Sequence, residues 1–250
     1  MKCYNKFHEV QQKSVAQIVV ILERGALMFR KKFIQIAGLV CVTCALFSTP
    51  VFAQQTIADV DIITNKASNA HDKDFFHEYK YPTVNIPNNR KATEKINRYF
   101  ELRFERSAAN YVADEMFLRV SNVSDEYTLT YNDGKYLIFE EKGYQYNKNA
   151  AHPNSWQRSV AFLTETGARV KWQDMIASED KDKVSLEAIN AKLANHPQSK
   201  GFFDQPTIIK KAPKEYRVDS NGNLHLLFQQ YEIAPYAAGI IDLDMGVKIK

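Results

Sequence analysis

Residues 33–47 form a run of 15 mostly apolar residues that decides how much of this chain can belong to a folded body. Arg30, Lys31 and Lys32 precede the run, and Val51-Phe52-Ala53 places Val and Ala where a signal peptidase reads small side chains. At a rise of 1.5 Å per residue the run spans roughly 22 Å, short of a ~30 Å hydrocarbon core. The pattern is that of a secretory leader over residues 28–53, cleaved before Gln54. Cys41 and Cys44 lack the small-residue context of a lipidation signal. The expectation is therefore a secreted or periplasmic protein with no stable membrane anchor after cleavage. Residues 1–27 are read as a non-native upstream extension, because Glu23-Arg24-Gly25 can be encoded by a purine-rich stretch resembling a ribosome-binding site ahead of Met28. The alternative is a true cytoplasmic arm followed by a retained span.

Removing the leader changes the chemistry of what remains. Seven of the 33 Lys and Arg residues and two of the 29 Asp and Glu residues lie before Gln54, which leaves 26 and 27 and moves the formal net charge from +4 to −1. The basic character thus belongs to the leader, and no nucleic-acid partner is expected. Cys3, Cys41 and Cys44 are also removed. A thiol-free exported chain forms neither a disulfide framework nor a thiolate metal site. At 197 residues it can bury a core without such staples.

Along the body, residues 54–74 read as a polar lead-in. "FFHEYKYPTVNI" (75–86) reads as a strand, with Pro82 marking an edge or bulge. Ala92, Ile96, Phe100, Phe104 and Ala108 then recur every four residues behind Asn88 or Asn89 as cap, which predicts an amphipathic helix of about five turns. Tyr127, Leu129 and Tyr131 alternate before Asp133-Gly134, and Tyr136, Ile138, Tyr144 and Tyr146 alternate after it, a hairpin pattern. A strand is predicted from Trp156 to Leu163, turning into 170–172. A second helix is predicted over 180–196, ended by Pro197. Strands follow at 216–218, 224–233, 240–243 and 247–249. The fold class is α+β, with antiparallel sheets and one main helix in each half. The halves are expected to divide as 75–147 and 148–250.

Two stretches, "YQYNKNAAHPNSWQRSVAFLTETGARVKWQDMI" (144–176) and "LHLLFQQYEIAPYAAGIIDLDMGVKIK" (224–250), resemble the signature stretches of a bacterial extracytoplasmic family, domain of unknown function 3298. "YKYPTVNIPNNRKATEKINRYFE" (79–101) is similar to the companion domain that usually precedes it, domain of unknown function 4163. Where the family commonly carries two glycines before Ala-His-Pro, this chain has Asn149 and Ala150. The resemblance implies a pair of domains found in the extracellular, ligand-receiving part of a lysozyme-sensing anti-sigma-V factor. The same pair occurs in the non-catalytic region of some peptidoglycan deacetylases. It implies a lysozyme-like protein or a peptidoglycan-type glycan as partner. A membrane-anchored anti-sigma sensor follows instead if residues 1–53 are retained.

The residues offer little for catalysis. No G-x-S-x-G elbow, Ser-x-x-Lys or phosphate-cradling glycine loop is present. His71, His77, His152, His196 and His225 show no helical i, i+4 metalloprotease spacing, and no cofactor or metal is expected. "HDKDFFHE" (71–78) reads as a charged, solvated segment rather than a cation site. Asp242 and Asp244 share a strand face, as a solvated charged edge would. His152, in "NAAHPN", is read chiefly as a loop-fixing side chain, with ligand contact as the alternative. In "YEIAPYAAG", Pro235 forces the chain out of a strand, Gly239 permits a positive φ or close backbone approach, and Tyr231 and Tyr236 pack rings while their hydroxyls seek partners. If the flanking strands pair, His152, Tyr231, Glu232 and Tyr236 come together as a ligand-binding site. The expectation is an envelope-binding protein that does no chemistry of its own. A hydrolase acting on peptidoglycan or another glycan is the alternative.

Overall fold

A computed structural model describes residues 57–68, 76–115, 120–200 and 208–250. The extension, the leader, its cleavage position and His71 lie outside those residues. No helix among the described residues is long and apolar enough to cross a membrane.

Six strands form one sheet in chain order: β1 (Asp59–Ser68), β2 (Phe76–Asn85), β3 (Val120–Asn132), β4 (Tyr136–Asn147), β5 (Asn154–Leu163) and β6 (Arg169–Val170). Helix α1 (Arg90–Glu115) joins β2 to β3. After two 3₁₀ turns come α2 (Leu186–Asn195) and the short α3 (Pro197–Lys200). A second sheet then orders β7 (Tyr216–Val218), β8 (Asn223–Phe228) and β9 (Ile241–Lys248). The class is α+β, as expected, with antiparallel pairing throughout except between β2 and β3. Those two run parallel over five residues because a helical crossover, not a hairpin, connects them. The boundary expected at 147/148 falls within the larger sheet, since β5 pairs with β4 from Tyr136↔Leu163 to Gln145↔Asn154. Segment 54–74, read as a polar lead-in, contains β1. Ala58 is buried and Val60 packs against the α1-side core with Asp59 and Asp61 exposed between and after them, but the alternation is short and Ile62 stays 46% exposed.

Pro82 shows how that sheet ends. Val84 exchanges both backbone groups with the Asn97 side chain of α1, at 2.8 and 2.9 Å, and the Ile86 N–H donates to Thr93 Oγ1. Pro82 has the same parity as Val84, so its missing N–H falls on the flank away from β1, where pairing with β3 has already ended at Lys80. The edge expected from the sequence is there, and helix side chains cover the rest of it.

Asn89 caps α1 by accepting from the Ala92 N–H, and its amide donates to the carbonyls of Thr164 and Glu165. Ala92, Ile96 and Phe100 are fully buried, as their spacing predicts. The helix runs about seven turns rather than five, because the sequence through Glu115 holds no Gly or Pro to stop it. The second helix is shorter than expected. Ser185 accepts from the Ala188 N–H as its cap, leaving 178–184 as a 3₁₀ turn. Pro197 does not simply end it. His196 is extended, as a residue before proline must be, and Pro197 opens α3 as its first residue.

Residues 136–141 of β4 are all buried. Leu137 and Phe139 face α1, packing with Ile96, Phe100, Tyr127 and Phe162. Tyr136 and Ile138 face the other way, into a core with Trp172, Met175, Ile189, Leu193 and the inner residues of β7–β9. The hairpin tyrosines do not share a surface. A register shift between Leu129 and Tyr131 turns Tyr127 toward α1 and Tyr131 toward the second core, leaving Leu129 exposed. Cross-strand packing accounts for Tyr127 and Tyr136, which are buried.

Glu141 sits on the α1 face and is 3% exposed. Its carboxylate accepts from Arg103 Nη2 at 3.0 Å, from Arg158 Nε at 2.9 Å and Arg158 Nη2, from the Tyr127 hydroxyl and from Trp156 Nε1 at 3.1 Å. Trp156 lies across Gly143, where any Cβ would collide with the indole. Burial would raise the Glu141 carboxyl, but the hydrogen bonds and charge of Arg158, with Arg103 and Tyr127, hold it below its ordinary value. A carboxyl lowered on folding adds stability that is present above its unfolded value and lost as pH falls through the folded one. Glu141→Gln is expected to cost about 3 kcal/mol at neutral pH in urea titration and to flatten the acid-side loss of stability. The figure sits at the low end for breaking a buried pair because each guanidinium remains 35% exposed.

Candidate functional site

The loop after β4 and the loop after β8 meet beside the start of β5. Asn149 takes a left-handed backbone (φ 65°), which asparagine tolerates better than most residues. The Ala150 N–H donates to the Asn147 carbonyl, and the Tyr146 hydroxyl donates to the Ala150 carbonyl. That turn presents His152. Its ring stacks on Tyr236 with centroids 3.7 Å apart and planes inclined by 22°. Tyr231 joins the cluster, 5.7 Å from the Tyr236 ring and 6.2 Å from His152.

One histidine tautomer satisfies the polar contacts. Nδ1–H donates to the Pro153 carbonyl at 3.1 Å, and Nε2 accepts from the Tyr231 hydroxyl at 3.2 Å. The Pro153 carbonyl also accepts from the Tyr236 hydroxyl at 3.1 Å. The hydrogen bond to backbone read for His152 is therefore present. Glu232 is placed differently from the two tyrosines. Its Oε2 accepts from the Gln229 N–H at 2.8 Å, so it closes its own turn.

Two residues that sequence reasoning passed over hold this corner together. Beyond Ala161 and Phe162, β5 has no strand on its second flank. Gln229 fills that place: its Oε1 accepts from the Gln157 N–H at 3.1 Å and its Nε2 donates to the Gln157 carbonyl at 2.7 Å. Gln230 Oε1 accepts from the Ser155 N–H at 3.0 Å. Two side-chain amides thus stand in for a strand. Glutamine carries no sequence signal for this, though "QQ" directly before "YEIAPY" is where it could have been sought.

The corner after them matches the reading of "YEIAPYAAG". Pro235 leads into a 3₁₀ turn (Tyr236–Ala238), and Gly239 has φ 71° and ψ −152°, a conformation open essentially to glycine alone. Nothing lies within 4 Å of a Cβ placed there, so Gly239 is required by its dihedral angles and not by close approach.

Elsewhere, His77 does not face solvent as a charged segment would. It is 1% exposed, 3.6 Å from Asp125, while Glu78 pairs with Lys80 at 3.2 Å. Asp242 is not a bare edge charge. It accepts from Arg217 Nε at 2.5 Å and from His225 Nδ1 at 2.7 Å. Burial would raise its carboxyl, but those two partners hold it below the ordinary range. Burial pushes the Glu215 carboxyl up. Arg158 opposes that, and the charges of Glu141 and Glu232 add to it.

Replacing Gln229 and Gln230 by alanine strips the partners from the Ser155 and Gln157 N–H groups. Their amide hydrogen exchange is expected to accelerate at least tenfold while exchange in the core of β4 is unchanged.

Comparison with known proteins places this geometry. Residues 173–247 match the model of a family described as a protein of unknown function, DUF3298. That stretch includes Tyr231, Glu232 and Tyr236 and begins after His152. Two crystal structures share the fold. One, a DUF3298 family protein from Pseudomonas aeruginosa PAO1, is 12% identical with a TM-score of 0.51, over 75% of this chain and 89% of that one. The other, a member of the family from Bacteroides fragilis NCTC 9343, is 15% identical with a TM-score of 0.53, over 77% and 93%. No curated protein matches the sequence. Residues 173–247 thus match the DUF3298 family, and the fold around them resembles that of two of its members.

Proposed function

We propose that this chain is an exported envelope protein that binds a protein or glycan ligand without acting on it, with His152, Tyr236 and Tyr231 as the contact surface. The observation that carries the reading is Tyr231. It adopts a left-handed backbone (φ 65°), which costs a bulky residue about 1–2 kcal/mol, yet its ring is 62% exposed. Folding alone favours glycine or asparagine at such a place. Strain maintained under an exposed aromatic ring is the mark of a residue kept for contact. Tilted against the stacked pair of Tyr236 and His152, it adds an exposed aromatic ring to that cluster, a surface suited to sugars and to protein hot spots.

Three features of the sequence support the same reading. The leader over 28–53 directs the chain outward, and the thiol-free body needs no oxidative folding. The likeness of 79–101 to the companion domain, and of the signature stretches to a lysozyme-sensing receptor and to non-catalytic regions of peptidoglycan deacetylases, points to a lysozyme-like protein or a peptidoglycan-type glycan. Export predicts that the mature protein begins at Gln54, which N-terminal sequencing reads directly.

Tyr231→Gly separates contact from folding. The substitution relieves the backbone and removes a ring that contributes little burial, so the melting temperature is expected to hold or to rise by about 2–4 °C. Capture of the ligand from envelope extract is expected to fall at least tenfold. A melting temperature lowered by more than a few degrees assigns the ring a structural role and overturns the reading.

A further inference from the structure

A cleft between α2 and β9 supplies an observation independent of the aromatic cluster. Lys192 and Asn195 lie three residues apart on one face of α2, and Asp242 and Asp244 lie two apart on one face of β9. With His196 and Pro197 at the break into α3, they line an open cavity of about 440 Å³. That volume falls within the roughly 300–1,000 Å³ of small-molecule sites.

The lining selects a chemistry. The Asp242 charge is matched by Arg217, and the hydrogen bond with His225 Nδ1 also holds its carboxylate in place. Asp244 Oδ1 accepts from the Gly246 N–H at 2.8 Å, and Lys192 on the opposite wall balances its charge. Asn195 is anchored at the rim, its amide donating to the Ala191 carbonyl. The cleft is therefore close to neutral, with carboxylate acceptors on one wall, an ammonium donor on the other and the proline ring between them. An anion such as phosphate calls for net positive charge. A protein interface draws on roughly 800 Å² per partner, far more than this small open hollow offers, and Ala191 and Pro197 give its lining an apolar share beside the charged groups. An uncharged ligand with many hydroxyls and an apolar ring face fits.

The cleft wall is tied to the turn that carries Tyr236. Gln198 Nε2, one residue beyond the cleft wall, donates to the Ala238 carbonyl at 2.9 Å, at the end of the turn that holds Tyr236. Six residues separate Tyr236 from Asp242, at most about 20 Å of chain.

We infer that the α2–β9 cleft and the His152–Tyr236–Tyr231 surface are two subsites for one extended, uncharged saccharide. The inference rests on the proposed binding function and adds the ligand class and a second contact.

Isothermal titration of the purified exported protein with the tetramer and the dimer of β-1,4-linked N-acetylglucosamine tests it. The expected result is binding of the tetramer, insensitive to salt, and at least tenfold weaker binding of the dimer. Asp244→Ala and Lys192→Ala, both at exposed positions, and Tyr231→Gly are each expected to weaken the tetramer at least tenfold with circular dichroism unchanged. Tetramer binding that responds to Tyr231→Gly but to neither cleft substitution overturns the second subsite and leaves the aromatic surface as the binding site. No tetramer binding at all overturns the saccharide inference. Capture of an envelope protein by the parent chain, lost with Tyr231→Gly, would then leave the binding function intact.

Discussion

Six consecutive residues of β4 are shut off from solvent on both faces, and a strand in that position has to find cover twice over. Helix α1 supplies one cover through Ile96 and Phe100, and the β7–β9 sheet with α2 supplies the other through Leu226, Phe228, Leu243 and Leu193. The order of elements follows from this demand. The β2–β3 connection must be long enough to lay a helix over the sheet, which is why those strands run parallel, and the chain after β6 must double back across the opposite face. Neither half of the sequence can complete the β4 environment alone, so the boundary expected between them becomes the middle of a sheet.

Polar groups inside such a sandwich have to be settled locally. Glu141 continues the α1-facing row of β4 one step past Phe139, and its charge is tolerable only because Arg103, Arg158, Tyr127 and Trp156 converge on it. Gly143, the next residue in that row, is bare so that the Trp156 ring can lie over it. The open flank of β5 poses the same problem for backbone groups. Gln229 and Gln230 answer it with side chains, which also ties the loop after β8 to the first half of β5.

Features governed by one period could be read from the sequence. The four-residue spacing of Ala92, Ile96 and Phe100 gave the α1 face, Asp133-Gly134 gave the hairpin, and Pro235 with Gly239 gave the corner that carries Tyr236. Features set by pairing across the fold could not. The strand β1 sets Asp59 and Asp61 between Ala58, Val60 and Ile62, but the alternation is short and gives way to Thr64, Asn65 and Lys66. The shift between Leu129 and Tyr131 reverses the side on which later residues fall, and alternation alone gives no warning of it. In the candidate site, His152 and Tyr236 come together although the pairing expected of the strands after them does not form, since β5 lies in the larger sheet and β9 in the smaller. The glutamine clamp and the α2–β9 cleft were not legible in the sequence. Both depend on which surfaces of distant elements come to lie side by side.

The contacts that fix the two loops and the contacts left over for a ligand are different parts of the same side chains. The Pro153 carbonyl, His152 Nδ1 and the Tyr236 hydroxyl are spent on holding the corner, whereas the outward ring faces of Tyr236 and Tyr231 take no part in it. Glycine at position 231 would hold the same turn without strain, but it would give up the hydrogen bond to His152 Nε2 and the exposed ring. Glu232 shows the contrast on the neighbouring residue: its carboxylate is turned back onto the Gln229 N–H and closes the turn. Tyr231 differs in part: its hydroxyl donates to His152 Nε2 and helps hold the corner, while the residue as a whole stays 62% exposed. The exposed ring is the physical reason the proposed contact surface includes Tyr231 and not the carboxylate beside it.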